Sequence, residues 1–362
     1  MKIVSIVGAR PQFIKCSVLS REIRKSHEEI LIHTGQHYDR EMDSVFFEKL
    51  RIPEPDYYLE VGSGSHAYQT GEMLRKIEPI VTKERPDLTL VFGDTNSTLA
   101  GALAAVKLGI CIGHVEAGLR SFDNTMPEEV NRIVADHCAG LLFCPTSTSV
   151  ENLKKERITH GVYLTGDVML DTLLENKEIA EQSEILEDLK LESKQYLVAT
   201  VHRAGNTDDK RALENIVDAL CRLDEKVVFP LHPRTLKALK NYRLYDKLDR
   251  EITLTGPLDY LQFLKLMGHA KRILTDSGGV QKEAYILKIP CVTLRENTEW
   301  VETVEDGWNV LVGNNVEEII RMARGFEPYR EQENVFGQNA CKKICTAISD
   351  YFSGKSRGYV RY

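Results

Sequence analysis

The sequence predicts an α/β protein built from two parallel-sheet domains, each with helices on both faces of its sheet. Three observations lead there. The chain has 362 residues, a length that suits two domains. Short, often β-branched runs alternate with longer helical patterns from one end to the other. The acidic stretch Glu175–Glu192, poor in apolar anchors, separates two sets of such runs.

The first set comprises Lys2–Val7, Glu29–His33, Leu88–Phe92, Ile110–Val115, Leu141–Cys144 and Val162–Thr165. The second comprises Tyr196–Val201, Lys226–Leu231, Glu251–Thr255, Lys271–Thr275 and Pro290–Leu294. They read as strands covered on both faces. Segments such as Thr98–Leu108 and Asp209–Leu223 between them carry apolar residues at helical spacing, and Asn339–Phe352 reads as an amphipathic helix. The acidic stretch predicts a solvated helix opening the second domain. The boundary is therefore placed near Gly166, giving domains 1–166 and 167–346, with the C-terminal segment 347–362 expected to rejoin the first.

Hydrophobic residues make up 42% of the chain, enough for two cores without disulfides. The formal charge of −7 disfavours nucleic acid or an anionic membrane as partner of the whole surface. It leaves room for an anionic small molecule held by local basic residues. No pair of the eight cysteines has C-x-x-C spacing, so buried reduced thiols and a cytoplasmic setting are expected. There is no leader pattern and no apolar stretch of membrane-spanning length.

In open parallel sheets, ligands bind beyond the carboxyl ends of the strands. The runs here hand over to Gly8-Ala9-Arg10-Pro11 (then Lys15), His33-Thr34-Gly35-Gln36-His37, Gly93-Asp94, His114-Val115-Glu116, His202-Arg203, His232-Pro233-Arg234 and Asp276-Ser277-Gly278-Gly279. Ionisable or glycine residues at the same edge in both halves predict two Rossmann-like domains facing an active cleft. Ser277, Gly278 and Gly279 lead into a helical pattern, where bare backbone N–H groups and the helix dipole would favour a phosphate. Glu283, one turn on, could hold ribose hydroxyls. There is no G-x-G-x-x-G after the first strand and no lysine-bearing phosphate loop, so bound NAD and NTPase chemistry are disfavoured. Each residue also has a plainer role available. Thr125 and Glu128 could form a capping box with Pro127 in the first turn. Asp94 could be the N-cap of the following helix, and His202 a satisfied histidine at a strand end. Their gathering at one edge favours the functional reading.

At these residues the chain resembles the non-hydrolysing UDP-N-acetylglucosamine 2-epimerase family. The motifs are Gly8–Lys15 (GARPQFIK), Phe92–Thr98 (FGDTNST), His114–Ser121 (HVEAGLRS), Pro127–Arg132 (PEEVNR), Thr200–Arg203 (TVHR) and Thr275–Ala284 (TDSGGVQKEA), in family order along essentially the whole chain. The resemblance implies a GT-B fold, with neither metal nor nicotinamide cofactor. It implies Asp94, Glu116, Glu128 and His202 as the catalytic ionisable set, and Arg10, Lys15 and Arg132 as residues for sugar and diphosphate. Ser277, Gly278, Gly279 and Glu283 then form the UDP cradle, with Phe263 beside the uracil. Arg203 joins the substrate-binding set. A homodimer and a role in polysaccharide biosynthesis are expected.

The chain departs from better-known members at Gly205, where Glu is usual, at Trp300, where Arg is usual, and at Leu258, where Gln is usual. The tracts GARPQF (residues 8–13) and TEWVETVEDGWN (residues 298–309) are closer to the subgroup acting on UDP-2,3-diacetamido-2,3-dideoxyglucuronic acid. Trp300 would either offer an aromatic face to a substrate acetamido methyl or simply pack its loop. Gln36-His37 is followed by Tyr38-Asp39-Arg40 rather than by Arg directly, so the family's allosteric motif does not carry over. Two rival functions share the pattern. A GT-B glycosyltransferase needs the UDP cradle but no second proton carrier at carbon 2. A nucleotide-sugar sensor needs neither turnover nor an intact acid–base set.

Overall fold

The computed structural model describes residues 1–36 and 52–354, with the side chains of Arg10 and Pro11 left aside. Contacts divide the chain into two units: Met1–Thr172 together with the chain from Val335 onward, and Leu173–Asn334. The divisions fall at 172 and 334, against expected boundaries at 166 and 346.

Among the described residues, the first unit carries a seven-stranded sheet. Its strands are β1 (Lys2–Val7), β2 (Glu28–His33), β3 (Tyr57–Tyr58), β4 (Leu88–Phe92), β5 (Cys111–Val115), β6 (Leu141–Cys144) and β7 (Val162–Leu164), in the order β3-β2-β1-β4-β5-β6-β7. The second unit carries a six-stranded sheet of β8 (Tyr196–Thr200), β9 (Lys226–Pro230), β10 (Thr253–Thr255), β11 (Arg272–Thr275), β12 (Cys291–Thr293) and β13 (Asn309–Leu311), in the order β10-β9-β8-β11-β12-β13. Every pairing is parallel. The expected parallel α/β architecture is present in both units, and all eleven expected runs are strands. The two further strands, β3 and β13, are sheet edges of two and three residues without an apolar run.

In each sheet the chain order reverses between two neighbouring strands, β1 and β4 in the first and β8 and β11 in the second. That reversal opens a crevice at the carboxyl ends, the standard place for a ligand in such sheets. The central strands are fully buried: Ile3, Val4, Ile6, Leu90, Val91, Leu197, Val198, Ile273 and Leu274 are all 0% exposed. A rigid floor of this kind holds the turns that follow it to a fixed geometry.

The helix expected from the acidic stretch begins earlier, at Val168, because Val168 and Leu173 supply buried anchors; it runs to Ala180 and spans the division between the units. Helix Ala340–Phe352 packs on helix Arg10–Ile23 in the first unit. All eight cysteines are free thiols. Among the described residues, no helix is long and apolar enough to cross a membrane.

Candidate active site

In the first unit, three strand ends converge. Helix Arg10–Ile23 starts directly after β1, and Gln12 on its first turn fastens it down. Its Oε1 accepts from the backbone N–H groups of Gly8 (2.8 Å) and Ala9 (3.1 Å), while its Nε2 donates to the Phe92 carbonyl at the end of β4 (2.7 Å). One turn further, the Lys15 ammonium pairs with the Glu116 carboxylate beyond β5. Gly93 lies between them: a Cβ there would come within 3.3 Å of both the Glu116 carboxylate and the Lys15 ammonium. Glu116 itself sits at φ +72°, a left-handed conformation that costs a non-glycine residue about 1–2 kcal/mol.

Asp94 follows Gly93 and pairs with Arg132, whose guanidinium also donates to Glu129 (2.8 Å). Asp94 is not a helix cap, since Thr95 takes that role for helix Asn96–Lys107. The capping box open to Thr125 and Glu128 is likewise absent. Met126 is the N-cap with no side-chain bond, Pro127 opens the helix, and the Thr125 hydroxyl donates instead to Asp123 (2.6 Å). Glu128 is half-buried and has no side-chain hydrogen bond or ion pair among the described residues. Its neighbour Glu129 is the structural carboxylate, accepting from the backbone N–H groups of Ser121 and Phe122, each at 2.9 Å. Sequence reasoning missed Gln12, Glu129 and Asp136. The four-residue spacing of Glu128, Arg132 and Asp136, one face of a helix, was the available signal for the last.

In the second unit, buried Asp276 organises the turn after β8. Its carboxylate accepts from the backbone N–H of His202 (3.0 Å), the backbone N–H of Arg203 (3.0 Å) and the Asn206 amide (3.1 Å). Asp276, which precedes the expected phosphate cradle in the chain, holds the His202-Arg203 turn. The N-cap of helix Gly278–Ile286 is Ser277, whose hydroxyl accepts from Val280. Gly278 is needed for a close approach, because a Cβ there would lie 1.9 Å from the Glu299 carboxylate. Glu299 is held in turn by Arg295 at 3.0 Å and Arg203 at 3.5 Å. Glu283 is buried one turn along the same helix, and Phe263 is half-buried on helix Tyr260–Gly268. Three residues before Phe263, Tyr260 buries its hydroxyl with no hydrogen-bond partner among the described residues.

The half-buried His202 ring titrates below the ordinary imidazole value. Burial lowers it most, the Asp276 carboxylate opposes that, and Arg203, His232 and Arg234 add to the lowering. The folded state therefore binds fewer protons than the unfolded chain in the window below the unfolded value of about 6.5. This contribution to stability is complete above that value and declines as the pH falls through the window. Melting temperature is expected to fall on acidification below about pH 6.5, and less steeply in His202→Asn. Thermal melts of both proteins between neutral and mildly acidic pH check this; equal slopes would contradict it.

A family model for UDP-N-acetylglucosamine 2-epimerase matches residues 21–349. The chain belongs to that family. A UDP-N-acetylglucosamine 2-epimerase homolog of Methanococcus maripaludis is 58% identical over 96% of this chain and 99% of its own length. The UDP-2,3-diacetamido-2,3-dideoxy-D-glucuronate 2-epimerase of Pseudomonas aeruginosa is 48% identical over 90% of this chain and 92% of its own. The crystal structure of Methanocaldococcus jannaschii UDP-GlcNAc 2-epimerase in complex with UDP-GlcNAc and UDP superposes with a TM-score of 0.89 at 45% identity, covering 97% of this chain and all of that one. The two parallel α/β domains are those of the family's GT-B-like fold.

At Gly205 a Cβ would meet nothing within 4 Å, so packing does not demand glycine there. Trp300 is 4% exposed, and the Lys282 ammonium lies 4.3 Å from the centre of its ring. This supports packing of the loop over an aromatic platform for the substrate. An arginine at 300 would set a second buried cation beside Lys282, and like charges in a poorly solvated place repel. Trp300→Arg is therefore expected to lower the melting temperature and to leave the ratio of kcat/KM for the two sugars unchanged. A specificity switch toward either sugar would overturn this reading. The Arg10 side chain and the segment from His37 to Arg40 lie outside the described residues.

Proposed function

We propose that this chain inverts carbon 2 of a UDP-2-acetamido sugar by eliminating UDP and adding it back. The observation that carries the proposal is the set of ionisable groups at the sheet ends, together with the epimerase family assignment. Hydrogen on carbon 2 of such a sugar is not acidic, because no carbonyl is adjacent on the carbon chain. Breaking the C1–O bond to UDP gives oxocarbenium character and makes that proton removable. Loss of UDP and the proton leaves a glycal; a proton then returns to the opposite face and UDP adds back.

Removal and return on opposite faces call for two differently placed proton carriers. Asp94, Glu116, Glu128 and His202 are assigned to these transfers. Glu128 is supported by its lack of a side-chain hydrogen bond or ion pair among the described residues, and Asp94 and Glu116 by the cations Arg132 and Lys15 that hold them. UDP is assigned to Ser277, Gly278, Gly279 and Glu283, with Phe263 beside the base. Departing diphosphate is stabilised by the helix start and by basic residues, Arg10 and Arg203 among them. Relatives carrying these names act on UDP-N-acetylglucosamine and on the diacetamido uronate, and the two sugars are the arms of a substrate panel. A homodimer and a cytoplasmic setting belong to the same reading.

Proton NMR of the UDP-sugar incubated with the protein in D₂O is the decisive measurement. Deuterium at carbon 2 with formation of the 2-epimer is expected. Turnover that requires an acceptor would assign a glycosyltransferase, and binding without exchange a sensor.

A further inference from the structure

His114 is fully buried at the end of β5, two residues before Glu116. Both of its ring nitrogens are engaged: Nδ1 lies 2.6 Å from Asp136 Oδ1 and Nε2 lies 2.7 Å from the Gly93 carbonyl oxygen. A carbonyl oxygen can only accept. Asp136 titrates below the usual carboxylate range: burial pushes it up, but His114 and Arg120 outweigh burial. The ring therefore donates from Nε2 to Gly93, and its Nδ1 is bonded to Asp136. The second Asp136 oxygen accepts from the Gly118 N–H (3.1 Å) and from Arg120 (2.7 Å), whose remaining nitrogens clamp Glu156 at 2.7 Å.

These bonds join three separate segments. Gly93 begins the turn that carries Asp94. His114 and Gly118 flank Glu116, whose left-handed backbone persists only if its surroundings fix it. Asp136 lies on helix Pro127–Cys138, which also carries Glu128 and Arg132. A buried ion pair is a poor device for stability, since apolar residues of similar volume usually do as well. What it supplies is direction, with each bond aimed at one atom of one segment.

We propose that His114 and Asp136 are a positioning pair that sets the mutual placement of Asp94, Glu116 and Glu128 for the proton transfers at carbon 2. The inference rests on the acid–base assignment of those three carboxylates. Displacing a reacting group by about 1 Å can cost on the order of 10²-fold in rate.

The test compares His114→Leu, His114→Gln and Asp136→Asn with wild type in the full chain, alongside Asp94→Asn and Glu116→Gln. The measurements are kcat, KM, UDP affinity by calorimetry, and the pH profile of kcat. His114→Leu is expected to lower kcat by about 10²-fold with KM and UDP affinity nearly unchanged. His114→Gln retains a donor for the Gly93 carbonyl and is expected to recover part of that loss, with the limbs of the pH profile displaced. If His114→Leu does not fold, His114→Gln and Asp136→Asn decide by the same criteria. Folded variants with wild-type kcat and pH profile would overturn the positioning role while leaving the acid–base assignment intact. Full activity in Asp94→Asn and Glu116→Gln would overturn the assignment itself, and the positioning role with it.

Discussion

Asp94→Asn, Glu116→Gln and Glu128→Gln are each expected to lower turnover by about 10²-fold or more, the usual scale for an acid–base group. The three differ in what else they should do. Glu116→Gln removes the carboxylate paired with the Lys15 ammonium, and Asp94→Asn removes a carboxylate that Arg132 holds together with Glu129. Both should shift melting temperature downward. Glu128→Gln touches neither an ion pair nor a cap, because Met126 and Pro127 form the helix start. Its melting temperature should equal that of the wild type while turnover falls. Steady-state kinetics with thermal melts on the same preparations check all three. An active Glu128→Gln that melts early would return Glu128 to a structural role.

The largest loss of stability from a single site is expected at Asp276→Ala. The carboxylate is 0% exposed and receives two backbone N–H groups and the Asn206 amide. Alanine leaves both backbone N–H groups without an acceptor and the Asn206 amide with the Leu294 carbonyl (3.0 Å) alone. An unpaired buried donor costs about 1–3 kcal/mol, so the total should reach roughly 3 kcal/mol or more. Urea unfolding measures it directly. Because Asp276 fixes the backbone at His202 and Arg203, turnover should fall as well, even at temperatures where the variant is fully folded. Wild-type stability would show that water replaces the carboxylate.

Much of this was legible in the residues because strands covered on both faces are mostly apolar, and Lys2–Val7 or Leu88–Phe92 can be little else. The edges were not legible. Tyr57–Tyr58 and Asn309–Leu311 pair on one side only and are too short to impose a pattern. At the site, residues that follow strands could be found by position, since the sheet brings every carboxyl end to one side. Roles were harder. Whether a carboxylate meets a cation or a helix end depends on partners distant in the chain, as Asp94 and Arg132 show. Local pattern suggested caps at Asp94 and Glu128, and tertiary contacts decided otherwise. The roles of Asp136 and Glu129 are set by partners at Arg120, His114 and Ser121 that no local pattern names. Trp300 shows the same limit for apolar residues, as its neighbour Lys282 is eighteen positions away and covers the ring.

The first unit is discontinuous, and this shapes how the chain is made. Helix Ala340–Phe352 lies against helix Arg10–Ile23, burying Ile344 and Ile348 completely, and its Cys341 N–H donates to Asp171 (2.9 Å). On the ribosome, Arg10–Ile23 emerges early, yet the helix that covers it is translated only after the whole of Leu173–Asn334. The second unit is one uninterrupted stretch and can close while synthesis continues. The older part of the chain must wait with an apolar flank uncovered, so nascent-chain arrest or a stop codon just past Asn334 would leave the earliest-made unit, not the latest, as the one exposed to chaperones and proteases.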